Sequence, residues 1–328
     1  MKHRHFKYQA QGAALLVAML TVALVAMLAC AGLWQQWRSV SVETAERQSQ
    51  QAHWLLVGAQ DWARVVLRED GRNAGADHLG EPWAIPLRDA RLSDFLAASP
   101  AGVVENADGL MDQVVLSGRI TDMQSRLNLR NLVVNGEFVD NEWQAWVRLY
   151  QLLGLPQAEL QAWSNAYKAS QTLKFEDDAP LAPQRLEQLS WLGMSRESMV
   201  KLAPHISLLP VATPVNINTA SPQVLAAVVP GLGVAAAQQW TSIRDTQAWN
   251  SLEEAQKKLG ASAAGLNPKL HSINSGFFEV IGQLRLDSVA LIEKSLVRRT
   301  GMDSHTVWQE RRASRSEPGC MVTVAAPC

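Results

Sequence analysis

Near its N-terminus the chain carries 22 consecutive residues without a charge, 13–34, of which only Thr21 and Gly32 fall outside the apolar set. As a helix rising about 1.5 Å per residue, this run reaches about 33 Å, the thickness of a bilayer's hydrocarbon core. Lys2, Arg4 and Lys7 precede it, with His3, His5 and no acid. Basic residues on that flank keep it on the cytoplasmic side, and Trp34 and Trp37 at the far end suit the opposite interface. A chain built this way is expected to span a membrane once, with its body outside the cytoplasm. That body is neither disordered nor a general binder of polyanions. The 328 residues are 47% hydrophobic and 19% charged, and 30 basic residues face 31 acidic ones for a formal charge of −1. The length suits about two domains.

Three readings compete for the N-terminus. The apolar core of a secretory signal peptide runs to about 7–15 residues before a small-x-small cleavage site, and this run is longer. A plain signal anchor is the second reading. The third uses Gly12, at the junction of charged leader and apolar run, because prepilin peptidases cut after such a glycine on the cytoplasmic face. The residues beyond the span favour a long helix. Gly58 is the only helix breaker between 33 and 70. Ala52, Leu55, Leu56, Ala59, Trp62, Ala63, Val66 and Leu67 recur at three- and four-residue steps among Arg, Gln and Asp. The pattern predicts one helix over 13–70, ending at Gly71 and about 87 Å long. Its first half is apolar all round and its second amphipathic, the layout of a type IV pilin or pseudopilin.

The body alternates in character. Residues 71–86 are rich in Gly, Pro, Asn and Asp, and the string from Asp77 to Trp83 contains two acids and His78. It reads as a turn that returns the chain from the helix end and buries Trp83, rather than as a site. A strand is expected over 114–120, and Leu127, Leu129 and Leu132 alternate as in a half-buried strand or edge. Residues 142–209 read as helices, with Trp143, Trp146, Trp163 and Tyr167 as core rather than a ligand box. Phe277 to Ile281, Val289 to Val297 and Thr306 to Arg312 read as strands. Arg298, Arg299, Arg311, Arg312 and Arg315 read as a solvated basic face.

The most motif-like stretch is 215–260. Ser221 is placed to cap a helix with Pro222 at its first position. Pro230-Gly231-Leu232-Gly233 then joins this helix to a second, and Ser251 with Glu254 is spaced as a capping box for a third. The unit resembles a helix-hairpin-helix. Such units bind nucleic-acid phosphates through N–H groups at the second helix's start. Here that start reads Val234-Ala235-Ala236-Ala237, and 215–260 holds three bases (Arg244, Lys257, Lys258) against three acids (Asp245, Glu253, Glu254). A neutral segment lacks the counterion-release term that drives phosphate binding. A dinucleotide reading of Gly231-x-Gly233-x-x-Ala236 fails because a helix, not a strand, precedes it.

Taken in order, the basic leader, Gly12, the span and the amphipathic stalk are followed by the Asp77-to-Trp83 turn and Gly118-Arg119-Ile120-x-Asp122. Arg126-Leu127-Asn128-Leu129-x-Asn131-Leu132, Val215-Asn216-Ile217-Asn218-Thr219-Ala220 and the final strands complete the set. This ordered set resembles the general secretion pathway protein K family, the large minor pseudopilins of type II secretion, up to about Arg312. The resemblance implies an α+β fold: a long transmembrane and stalk helix, and a pilin-like α/β head split by a large all-α insert that holds the helix-hairpin-helix-like unit. The expected divisions are a leader at 1–12, the helix at 13–70 with its span at 13–34, the first part of the head at 71–140, the insert at 141–270, the closing strands at 271–313 and a tail at 314–328.

The resemblance further implies a place at the tip of a periplasmic pseudopilus, anchored in the inner membrane of a Gram-negative cell. There the subunit initiates assembly with minor pseudopilins I, J and H and contacts secreted proteins or the outer-membrane secretin. It implies cleavage by prepilin peptidase after Gly12 and N-methylation of Ala13. Most pseudopilins carry Glu at the fifth mature position. Val17 stands there, as in the K branch, and it spares a subunit with no neighbour above it an unpaired carboxylate in lipid. Family members often carry an Asp-rich loop associated with calcium. The corresponding region here reads Ala162-Trp163-Ser164-Asn165-Ala166-Tyr167, with only Glu176-Asp177-Asp178 later, short of the six to eight oxygen ligands calcium takes. These acids do not define a calcium cage, so the sequence leans against calcium but leaves a metal open; no other cofactor is implied.

No nucleophile elbow, HExxH, paired CxxC or P-loop appears, so an enzyme is not expected. The alternative to the pseudopilin is a membrane-anchored periplasmic DNA-binding protein of the competence type. Cys30 lies in the span. Cys320 and Cys328, in an oxidising compartment, are either a disulfide closing the tail or a pair of thiols. Removal of the leader leaves 316 residues with 27 bases against 31 acids, a formal charge of −4.

Overall fold

The computed structural model describes residues 11–72, 75–97, 109–171, 180–286 and 289–315. They fall into two compact units, 1–54 and 55–328, and helix α1 (Gln11–Arg72) belongs to both. Within the first unit, Leu15, Val17, Leu20, Leu24, Leu28 and Trp34 are all exposed. An all-apolar helical surface without a protein partner is suited to lipid. Trp34 and Trp37 lie together at its far end, ring centroids 5.7 Å apart.

The second unit is built on a five-stranded antiparallel meander: β1 (Leu87–Arg91), β2 (Val114–Asp122), β3 (Phe277–Leu286), β4 (Val289–Thr300) and β5 (Asp303–Arg315), adjacent in that order. The strands expected at 114–120 and 306–312 are each longer than their apolar cores, because ladder pairing continues past the last apolar residue. A short helix α2 (Leu92–Ala97) follows β1.

Alternation splits the sheet into two faces. Phe278, Val280 and Val297 pack with Ala63 and Leu67 of α1 and with Trp83. Gly282 sits beneath the helix, where an added Cβ would lie 3.1 Å from Leu56 Cδ1 and 3.3 Å from Gln60 Nε2. That space lets Gln60 reach the sheet, donating to the Glu293 carbonyl at 3.3 Å and accepting from Ser295 Oγ at 2.8 Å. The stalk stripe therefore divides. Leu56, Ala63 and Leu67 belong to the chain's own core, whereas Trp62 stays 43% exposed with its ring edge-on to Phe95. Phe277 and Leu296 point to the other face, against Met123 and Leu209.

Between the neighbouring strands β2 and β3 the chain makes a long helical excursion. It contains α3 (Asp140–Leu152), α4 (Gln157–Ser170), α5 (Arg196–Leu202), α6 (Pro222–Val228), α7 (Val234–Thr246) and α8 (Leu252–Leu259) around one apolar core. Its aromatics are core residues, as their spacing indicates: Trp146 and Trp163 meet edge-to-face at 5.2 Å, and Trp163 Nε1 donates to Tyr150 Oη at 2.6 Å. Three local expectations need correction. Leu127 and Asn128 form only a two-residue strand before a 3-10 turn, Leu129–Asn131, because Asn128's side chain accepts the N–H of Arg130 and turns the chain. Within the residues read as helices, 186–202 is not one helix but two pieces, a 3-10 helix Leu186–Leu192 and α5, divided by Gly193 at φ 100° and capped afresh by Ser195. At α8, Ser251 accepts from Glu254 N, but Glu254's carboxylate accepts from Asn250 N rather than from Ser251, so the box is not reciprocal.

Candidate functional site at the neck of the insert

The excursion leaves the sheet after Asp122 and returns at Phe277, and these two ends lie side by side because Asp122 pairs in register with Phe278. A chain leaving and re-entering at one point needs its two crossings tied. The polar residues of the three sequence motifs do this.

Asp122 is the centre. It is fully buried, and its Oδ1 accepts the N–H of Gln124 at 2.7 Å. Its Oδ2 accepts from Thr219 Oγ1 at 2.5 Å, Ser275 Oγ at 2.6 Å and Asn216 Nδ2 at 3.2 Å. Burial pushes the carboxyl up to about 6, against the pull of these donors. Asn216 also donates to the Asp77 carbonyl at 3.1 Å and Ser275 Oγ at 3.0 Å, and its own oxygen accepts from Asn218 N at 2.9 Å. Gln124 spans the two crossings directly: its Oε1 accepts from Gly276 N at 2.6 Å and its Nε2 donates to the Pro214 carbonyl at 3.1 Å.

The second motif pins the next layer. Asn128 accepts from Leu209 N and donates to the Val211 carbonyl, and Asn131 forms a reciprocal pair with the Thr213 backbone at 2.8 and 3.0 Å. Asn218 does the same for Trp249, at 2.9 and 3.1 Å. Each amide satisfies a backbone segment that has no ladder partner, as buried backbone requires.

The end of α1 joins this neck through Arg299. Its guanidinium bonds Asp70 on one side and Asp77 on the other, donates to the Ser275 carbonyl at 2.9 Å and lies 4.8 Å from the Phe278 ring centre. Burial pulls its pKa down, but Asp77 and Asp70 outweigh this and hold it above the ordinary value. The basic C-terminal strands are thus not simply a solvated face. The Arg299 side chain is largely covered in this neck, and Arg311 donates through Nε at 2.8 Å and Nη2 at 2.7 Å to one oxygen, Oε2, of the buried Glu293. Alternation in β4 was the available signal, since Arg299 shares parity with the core residue Val297. Asp70, Asp77 and Glu81 each offer a carboxylate oxygen within 4.8 Å of the others, and Arg299 supplies positive charge to two of them. Sequence reading missed Ser275 and Gln124, which carry no motif of their own.

The helix-hairpin-helix-like unit forms as expected: Ser221 accepts from Val224 N, Gly231 takes φ 80°, and α7 opens at Gly233. Its Arg244 is buried and donates to the Ile217 and Ala220 carbonyls at 2.7 and 2.6 Å, so this base serves the fold. Nothing in the unit favours nucleic-acid binding.

Of the processing residues, Gly12 and Ala13 lie in the first turn of α1, and Ala13 and Val17 are exposed. Residues 1–10 of the leader, Glu176-Asp177-Asp178, Cys320 and Cys328 lie outside the described residues.

A long N-terminal helix, apolar and long enough to cross a membrane, that continues into a sheet-based head with a helical insert tied in at a polar neck is the layout of a pilin-like subunit. The family model for the type II secretion system (T2SS), protein K, matches residues 215–274, the segment that supplies Asn216, Asn218, Thr219 and Arg244. The chain is 27% identical over 301 residues to type II secretion system protein K of Pseudomonas aeruginosa, covering 84% of each chain. It is 25% identical over 336 residues to that of Pectobacterium carotovorum, covering 92% of this chain and 96% of the relative. Its fold is similar to that in the crystal structure of the GspK-GspI-GspJ complex from enterotoxigenic Escherichia coli, with a TM-score of 0.61 at 19% identity, over 82% of this chain and 99% of that one. Along most of its length the chain is thus similar to type II secretion system protein K.

Proposed function

We propose that the chain is the minor pseudopilin at the tip of the type II secretion pseudopilus, where it initiates assembly with minor pseudopilins I and J, with H adjoining, for export of folded proteins. The observation that carries this reading is the likeness to protein K along nearly the whole chain, from the apolar helix through the insert. The partner assignment is supported by the E. coli relative, which was solved with GspI and GspJ. Val17 in place of a glutamate suits a subunit with no neighbour above it, since an unpaired carboxylate in lipid is costly. In this reading residues 13–34 anchor the chain in the inner membrane with the N-terminus cytoplasmic and the body periplasmic. Prepilin peptidase cleaves after Gly12 and Ala13 is methylated. The neck makes the insert a rigid extension of the head, able to present a fixed surface to partners.

The test is N-terminal mass analysis of the protein from cells with and without prepilin peptidase. The expected mature N-terminus is methylated Ala13, present only with the peptidase. A chain that keeps Met1 to Gly12 in both strains removes the pseudopilin assignment.

A further inference from the structure

Glu81 lies where the turn after α1 meets β4. Its Oε2 accepts both the His78 N–H at 2.9 Å and the Trp83 Nε1–H at 2.7 Å, so its carboxyl organises the turn that seats Trp83 against Phe278. Oxygens of Asp70 from the helix end and Asp77 from the turn lie within 4.8 Å of it and of each other. Among the described residues one cation hydrogen-bonds into the cluster: Arg299, whose bonds go to Asp70, Asp77 and the Ser275 carbonyl. His78 Nδ1 is engaged within the turn, accepting the Gly80 N–H at 3.1 Å. With all three carboxylates ionised, the cluster carries two uncompensated negative charges in a half-buried place.

We infer that Glu81 is a proton-operated latch: protonated, it closes the 77–86 turn onto the end of α1 and β4; ionised, it repels Asp70 and Asp77 and loosens that turn. Burial raises the Glu81 carboxyl to about 7, the hydrogen bonds from His78 and Trp83 oppose the rise, and Asp70 and Asp77 add to it. The folded value lies above the ordinary 4.5. The stabilisation is therefore complete below that value and is lost as pH rises through about 7. The joint between stalk and head becomes adjustable by the pH around the body.

Hydrogen exchange of the full chain in detergent micelles, corrected for intrinsic rates, tests this between pH 6 and 8. For amides in 77–86 the opening constant should rise with pH, up to about tenfold if one proton is coupled, while amides of α4 in the insert stay unchanged. Glu81→Gln keeps an oxygen for both donors and has no charge to gain, so its opening constant should be low and flat. A flat wild-type profile, or a Glu81→Gln profile that follows a rising wild type, overturns the latch. Should Glu81→Gln fail to fold, Asp70→Asn provides the second arm. Removing that neighbouring charge should move the wild-type midpoint to lower pH, and an unmoved midpoint overturns the proposal.

Discussion

Asp122 allows the neck to be tested as a titrating unit. Its carboxyl stands at about 6 in the folded chain against 3.8 for an unperturbed side chain. The raised value means the folded state binds the proton more tightly than the unfolded state. The resulting stabilisation is fully present below 3.8 and is lost as pH rises through 6. Between pH 7 and pH 5 this single group should add about 1.3 kcal/mol to the unfolding free energy. Asp122→Asn removes the titration. Its amide oxygen can face Thr219, Ser275 and Asn216, but its NH2 then meets the Gln124 N–H, leaving a buried donor unpaired at about 1–3 kcal/mol. Relief of charge desolvation opposes that cost at pH 7, so the absolute stability of the variant is a poor readout and the pH slope is the good one. Urea unfolding of the full chain in detergent, followed by tryptophan fluorescence at pH 5 and 7, gives that slope. The variant should gain about 1.3 kcal/mol less than wild type on acidification. Equal gains in both proteins would refute the assignment of a buried, titrating Asp122 at the neck.

The same geometry sets three further outcomes. Asn216→Ala leaves Asp122, the Asp77 carbonyl and the Asn218 N–H each short of a partner, and should lower the unfolding free energy by about 3–5 kcal/mol in the same assay. Trp83→Ala empties the site between Ala63, Leu67 and Phe278 and should cost about 3–5 kcal/mol, whereas Trp191→Ala, at a side chain 51% exposed, should stay within about 0.5 kcal/mol. Arg244→Ala should destabilise by about 2–4 kcal/mol, because two buried carbonyls lose their donor, and the wild-type chain should show no retention on immobilised DNA even at low salt.

Legibility in the sequence followed the length scale of each signal. The apolar span and the stalk stripe repeat over many turns, so their periodicity was readable, and α1 runs one turn or less beyond the expected ends. The caps at Ser221 and the turn at Gly231 were readable because their chemistry is local to a few residues. What periodicity cannot convey is which polar residues are interior. Asp122, Asn128, Asn131, Asn216 and Asn218 look like turn formers, and Asn128 and Asn216 do turn the chain with their amide oxygens while their NH2 groups bond backbone carbonyls 83 and 139 positions away. Arg299 looked like surface charge because its partners, Asp70 and Asp77, are more than 200 positions distant. Composition treats these residues as ordinary solvated polar groups. In the folded chain they occupy the one place where an inserted domain must cross into a sheet twice. An apolar crossing would leave its irregular backbone unpaired, so the neck has to be polar and every donor there has to find an acceptor. The motifs are therefore the imprint of a topological requirement: holding both crossings fixes the direction in which the insert leaves the sheet.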